Sequence, residues 1–237
     1  MNDLQKKTAQ GIVNLFETGR LLGDYAAVTV VSGDAGHLSY GRSQTSLASG
    51  GLCLLVDRYC KMEGAQFAAG LLPYLSRLRS VDLALDHDLT LRQLLKRAAS
   101  DPLMRQAQDG FFEESYWAPA NRMALNACKT GPVATPLGIT VIYDSVIHGS
   151  FGKIRTRTDA AFPGVPAEKE WIVRYLELRR EWLAGSANPV LQKCVYRMDE
   201  LRKLADAGKW ELELPLTVRG VPIDEHTLAN KVLPDAA

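Results

Sequence analysis

Two acidic side chains, Glu17 and Asp34, flank a short stretch rich in β-branched residues and glycine. Carboxylates on separate elements can be held in different environments, one desolvated and protonated, the other solvated and ionised. Acid and base work at a single pH needs that difference, and cleavage of a glycosidic bond is the reaction it suits. Each residue also has an ordinary explanation. Glu17 reads equally as a solvated residue near a helix end, and Asp34 as an Asx residue shaping the Gly33 to Gly36 turn.

The elements that must position these two residues can be read from periodicity. Ile12, Val13, Leu15 and Phe16 in QKKTAQGIVNLFE fit one buried helical face, with Gly19 as the stop, so Glu17 is expected at a helix end. AAVTVVS reads as a strand, GDAGH as a turn and LSYG as a short return strand, which places Asp34 in a hairpin. Packing by Phe16 and cover from a cleft would supply the desolvation that a proton donor at neutral pH needs.

The segments that carry this chemistry also carry a likeness. FETGR, SGDAGHLSYGRSQ and YDSVIHGS, together with the closing YRMDELRKLADAGKWELELPL, resemble the chitosanase family, glycoside hydrolase family 46, within the lysozyme-like superfamily. The likeness covers nearly the whole chain. It implies a mainly α (α+β), lysozyme-like two-lobed fold with a small β hairpin at the active-site cleft, and residues 1–237 as a single catalytic domain.

For the site, the resemblance implies Glu17 as general acid, Asp34 as general base and Ser39 as the residue that holds the attacking water. It also implies Asp144 between Arg179 and Arg197, in a charge network reaching Glu17, with Arg180 as the alternative to Arg179. Three unrelated surface ion pairs, worth about 0–1 kcal/mol each, are the plain alternative. The family's inverting outcome implies carboxyl groups about 6.5–9.5 Å apart, whereas a covalent intermediate needs about 5 Å. His37, Arg42 and Gln44 are candidates to hydrogen-bond sugar hydroxyls or acetamides, and Tyr40 to stack on a sugar face. Surface solvation and a core tyrosine are the equally good readings. His148 reads as a satisfied histidine at a helix end.

The substrate implied is a β-1,4-linked amino-sugar polymer, chitosan or the glycan strand of peptidoglycan, cut internally without metal or cofactor. In the resembling family an Asp shortly after the hairpin recognises a glucosamine amine. Here Gly51 stands at or near that position, and no acid occurs between Asp34 and Asp57. That departure leaves room for an N-acetylated glycan. A non-catalytic glycan-binding protein that kept the fold is the alternative from another class.

Composition sets wider limits. With 237 residues and 46% hydrophobic content the chain can bury a large core. Its formal charge of +1, from 28 basic and 27 acidic residues, provides no overall field for nucleic acid or an anionic membrane. The basic residues between Lys153 and Arg157 read as part of a solvated loop, FGKIRTRTDAAFPGVPA. No apolar run is long enough to span a bilayer, and MNDLQKKTAQ lacks the apolar core of a secretory signal, although the polymer it would act on is extracellular or periplasmic. A monomer is expected. The four cysteines are too scattered for a disulfide scaffold, and none has zinc-ligand spacing.

Further helices are expected in GGLCLLVDRYC, in AQFAAGLLPYLSRLRS with breaks at Gly70 and Pro73, and in LDHDLTLRQLLKRAAS with Asp88 or Thr90 as N-cap. EKEWIVRYLELRREWLAG reads as the clearest helix, closed by Gly185, and PVLQKCVYRMDELRKLADAG as the last long one. TPLGITVIYDSVIHGS is ambiguous by period, and the resemblance favours a core helix over a strand.

Overall fold

The computed structural model describes residues 1–30, 36–126 and 128–229. In chain order the elements are α1 (Asp3–Thr18), β1 (Val28–Thr29), β2 (Ser39–Tyr40), β3 (Thr45–Ser46), α2 (Gly51–Cys60), α3 (Ala68–Leu71), α4 (Leu75–Arg79), α5 (Leu89–Ala98), α6 (Pro102–Phe112) and α7 (Ala118–Asn126). They continue as α8 (Pro136–Ile147), α9 (Phe151–Ala160), α10 (Glu168–Ala184), α11 (Pro189–Gln192), α12 (Val195–Asp206), β4 (Leu216–Val218), β5 (Val221–Ile223) and α13 (Glu225–Ala229). The fold is mainly α with few strands, as expected.

The chain forms two compact units, one made of Met1–Leu22 with Tyr116–Ala237 and the other of Gly23–Ser115. In the first, α8 is buried on nearly every side and packs against α1, α7, α10 and α12. That explains the ambiguous period of ITVIY, because a helix surrounded by protein shows no polar stripe. α1 starts with a reciprocal Asn2 and Gln5 capping box and ends at Gly19, whose φ of 72° suits glycine.

In the second unit a three-stranded antiparallel sheet, ordered β1-β2-β3, pairs Thr29 with Ser39 and Tyr40 with Thr45. Leu38, Tyr40 and Leu47 lead from this sheet into a core completed by Leu52, Leu55 and Tyr59 of α2 and by Leu91 and Leu95 of α5. Asp88 caps α5 by accepting from the Leu91 N–H at 2.9 Å. The tight turn at Gly41 (φ 77°) needs glycine for space as well, since a Cβ there would run into the Gln108 amide. Gln108 is buried; it accepts from the Arg42 N–H at 3.0 Å and donates to the Tyr25 carbonyl at 3.0 Å.

Three expectations need correction. The stretch expected as a surface loop contains helix α9, because Phe151, Ile154 and Thr158 are buried at helical spacing while Lys153 and Arg157 are exposed. Among the described residues of the expected strands only Val28–Thr29 and Ser39–Tyr40 pair as strand, and a third strand, β3, joins them. The last long helix is two helices, α11 and α12, divided at Lys193 and Cys194. Near the end of the chain β4 and β5 form a second hairpin, pairing Val218 with Val221.

Candidate active site

Glu17 lies on the last turn of α1, and its side chain remains 39% exposed. Its carboxylate accepts from Arg197 Nη2 of α12 at 2.5 Å. Arg197 Nη1 donates to Asp144 Oδ1 at 2.8 Å, and Asp144 Oδ2 accepts from Arg179 Nη1 of α10 at 2.6 Å. Two residues of α8, Asp144 and Ser145, face Arg179 together, because Ser145 Oγ also accepts from its Nη1 at 2.7 Å. Asp144 and Arg179 are fully buried and Arg197 is 3% exposed. Charges taken this far from water must be paired, and here acid and base alternate through the whole chain of four.

Burial alone would pull the Arg197 guanidinium down, but Asp144 and Glu17 outweigh it and hold it above the ordinary arginine value. Arg197 is therefore a permanent cation beside Glu17. Of the two adjacent arginines, Arg179 reaches Asp144, while Arg180 is exposed and pairs with Asp199 at 2.6 Å.

His148 closes the network as the C-cap of α8. Its Nδ1 lies 3.3 Å from Arg179 Nη2, and a guanidinium can only donate, so the proton of the neutral ring is on Nε2. Burial lowers the His148 pKa from the model-compound value of 6.5, and the cations Arg197 and Arg179 lower it further against Asp144 and Glu17. The folded state therefore refuses a proton that the unfolded chain accepts. This contribution to stability is complete above about pH 6.5 and is lost as pH falls from there through the folded value. Thermal unfolding between pH 7.5 and 5.5 is expected to show a shallower acid loss for His148→Gln than for wild type, and equal slopes would exclude this role.

In the second unit, Ser39 is buried in β2, where its hydroxyl donates to the His37 carbonyl at 3.3 Å. His37 has a positive φ of 58°, and its side chain is one-third exposed. Its Nδ1 is 2.8 Å from Asp86 Oδ2, and Asp86 Oδ1 accepts from the Leu38 N–H at 2.8 Å. One buried carboxylate thus orients the imidazole and fixes the backbone next to Ser39. Asp34 lies outside the described residues.

The remaining sugar-contact candidates have partners within the protein or are buried. Tyr40 is fully buried and has no ring face for stacking on a sugar, so that expectation is corrected. Arg42 pairs with Asp109 and lies over the Phe112 ring at 4.5 Å, with 12% of its side chain exposed. The Gln44 amide is taken by Thr29 Oγ1 and the Gly41 carbonyl. Asp86 was not legible as a site residue, and the one signal for it was an acidic side chain set among the leucines of LALDHDL. Among the described residues no group of three or more His, Cys, Asp or Glu could hold a metal ion. No helix among them is long and apolar enough to cross a membrane.

Comparison with solved structures gives likenesses along almost the whole chain. A native chitosanase from Bacillus subtilis is 28% identical, with a TM-score of 0.76 over 92% of this chain and 95% of that one. A mutant of the chitosanase from that organism, complexed with 6 GlcN, is 28% identical, with a TM-score of 0.74 and the same coverage. A family 46 chitosanase from Gynuella sunshinyii, complexed with chitotetraose, is 25% identical, with a TM-score of 0.75 over 94% of this chain and 98% of that one. Among curated proteins none matches the sequence. The model of glycosyl hydrolase family 46 matches residues 11–216, a span that takes in Glu17, the hairpin and the whole Asp144 network, and the chain belongs to that family of glycoside hydrolases.

Proposed function

We propose that the chain is an endo-acting chitosanase that cleaves β-1,4 bonds between amino sugars with inversion, as a monomer in which both units serve one catalytic domain. The observation that carries this reading is the placement of Glu17, an accessible carboxylate on a helix end whose rotamer is held by a buried cation. Three solved chitosanase structures with at least 25% identity over at least 92% of this chain support the substrate class.

Glu17 donates its proton to the glycosidic oxygen as the bond to the anomeric carbon breaks. Asp34 takes a proton from the water that attacks that carbon from the opposite face, and Ser39 holds the water. Glu17 is left as a carboxylate beside Arg197. His37 offers its ring to a sugar hydroxyl or amine, oriented by Asp86. The roles of Asp34 and Ser39 rest on their places in the motif.

One observation favours a second substrate, the glycan strand of peptidoglycan. Gly51 opens α2 at or near the position where a member of the resembling family would recognise a glucosamine amine, and a Cβ there would meet Thr45 Cγ2 at 2.9 Å. An acid is therefore not accommodated at 51 without local movement. Side-by-side digestion of chitosan and purified peptidoglycan, with mass analysis of the fragments and NMR of the first anomer formed, separates the readings. Chitosan oligomers with the α-anomer appearing first are expected. Fragments from peptidoglycan alone would reassign the substrate, a first-formed β-anomer would exclude inversion, and saturable binding without new reducing ends would indicate a non-catalytic glycan-binding protein.

A further inference from the structure

The last turn of α1 ends with backbone carbonyls that no later turn of the helix can satisfy. Two of them find donors far away in sequence. The Leu15 carbonyl, which also accepts from the Gly19 N–H at 3.2 Å, accepts from Arg219 Nη1 at 2.8 Å, and the Phe16 carbonyl accepts from the Tyr196 hydroxyl at 2.8 Å. These are the two residues immediately before Glu17. α1 has no basic residue in its own last turn, so Arg219 also brings to the negative end of the helix dipole a cation that α1 lacks.

Arg219 is itself firmly held. It sits with Gly220 at the tip of the β4-β5 hairpin, both residues at positive φ, 53° and 77°. Its N–H donates to Glu200 Oε2 at 2.7 Å, and its guanidinium lies 4.6 Å from the Tyr196 ring centroid. The Tyr196 ring meets Phe16 edge-on at 5.9 Å, and Arg197 lies over Phe16 at 5.6 Å. Neighbouring residues of α12 thus divide the task. Tyr196 fixes the backbone of the turn and Arg197 fixes the Glu17 side chain, while Glu200, one turn further along, anchors Arg219.

We propose that Arg219 is a positioning residue for Glu17. By bonding the Leu15 carbonyl and stacking on Tyr196, it holds the end of α1 in the register that keeps the Glu17 carboxylate on Arg197. The role rests on the reading of Glu17 as the proton donor. Arg219 lies beyond residue 216, where the family match ends. A shift of the carboxylate by a fraction of the distance to the glycosidic oxygen is enough to slow proton transfer, and it leaves sugar binding elsewhere untouched.

The test compares Arg219→Met, Arg219→Lys, Tyr196→Phe and Glu17→Gln in the full chain, by steady-state kinetics on a chitosan oligomer and by amide hydrogen exchange of the segment 13–22. Arg219→Met is expected to lower kcat about tenfold with KM within about twofold, and to speed exchange in the last turn of α1. Arg219→Lys is expected to recover most of kcat, and Tyr196→Phe to show a smaller loss of the same kind. Unchanged exchange in Arg219→Met, or unchanged kcat, would overturn the proposal. A loss confined to KM would overturn it as well. Full activity in Glu17→Gln would instead remove the proton-donor reading, and Arg219 would then have no acid to position.

Discussion

Glu17→Gln is expected to lower kcat on chitosan by about 10²- to 10⁴-fold, the range of a lost general acid, with KM little changed. The amide keeps an oxygen that can accept from Arg197, so the rotamer and the end of α1 should survive. Because the Glu17 side chain is 39% exposed, the loss of its charge is expected to cost less than about 1 kcal/mol of stability. Activity and stability therefore separate at this position. Steady-state kinetics alongside urea unfolding measure both, and turnover within a few-fold of wild type would remove Glu17 from the mechanism.

Asp144→Ala is expected to have the opposite emphasis. Asp144 is the anion between Arg179 and Arg197, and its removal leaves two guanidiniums facing each other in a site with almost no access to water. Breaking a buried pair by deleting one partner costs about 3–5 kcal/mol, which for a chain of this size corresponds to a melting temperature roughly 6–20 °C lower. Activity measured well below the new transition should also fall, because Arg197 loses the contact that aims it at Glu17. Asp144→Asn retains an acceptor and is expected to lose less on both counts. A loss of under about 1 kcal/mol for Asp144→Ala would mean that the network is solvated and does not fix Glu17.

Features encoded within one element were legible from sequence. The end of α1 at Gly19, the Asp88 cap of α5 and the closure of α10 at Gly185 all follow from residues within a turn of the boundary they mark. Helix α9 was missed for a local reason as well, since its lysine, arginines and glycine outweighed three buried side chains in a short segment. Helix α8 needed the resemblance, because complete burial erases the period on which a sequence reading depends.

The site was legible in part for a different reason. Motifs can nominate Glu17, Asp144 and a nearby arginine, but choosing Arg179 over Arg180 depends on which side of α10 faces α8. Tyr196, Arg219 and Asp86 act through contacts spanning 48 to 204 residues of sequence, which no spacing rule reaches. The partners of Arg42 and Gln44 were equally out of reach, since Asp109 lies 67 residues from Arg42 and Thr29 lies 15 from Gln44.

The role of Glu17 as proton donor is tested most directly by changing how much the leaving group needs the proton. A chito-oligosaccharyl fluoride departs as fluoride with little help from an acid, whereas a glycosidic oxygen does not. Glu17→Gln is expected to hydrolyse the fluoride at a rate close to wild type while remaining crippled on the oligosaccharide. Equal loss on both substrates would contradict the assignment and leave Glu17 with a role in structure or binding alone.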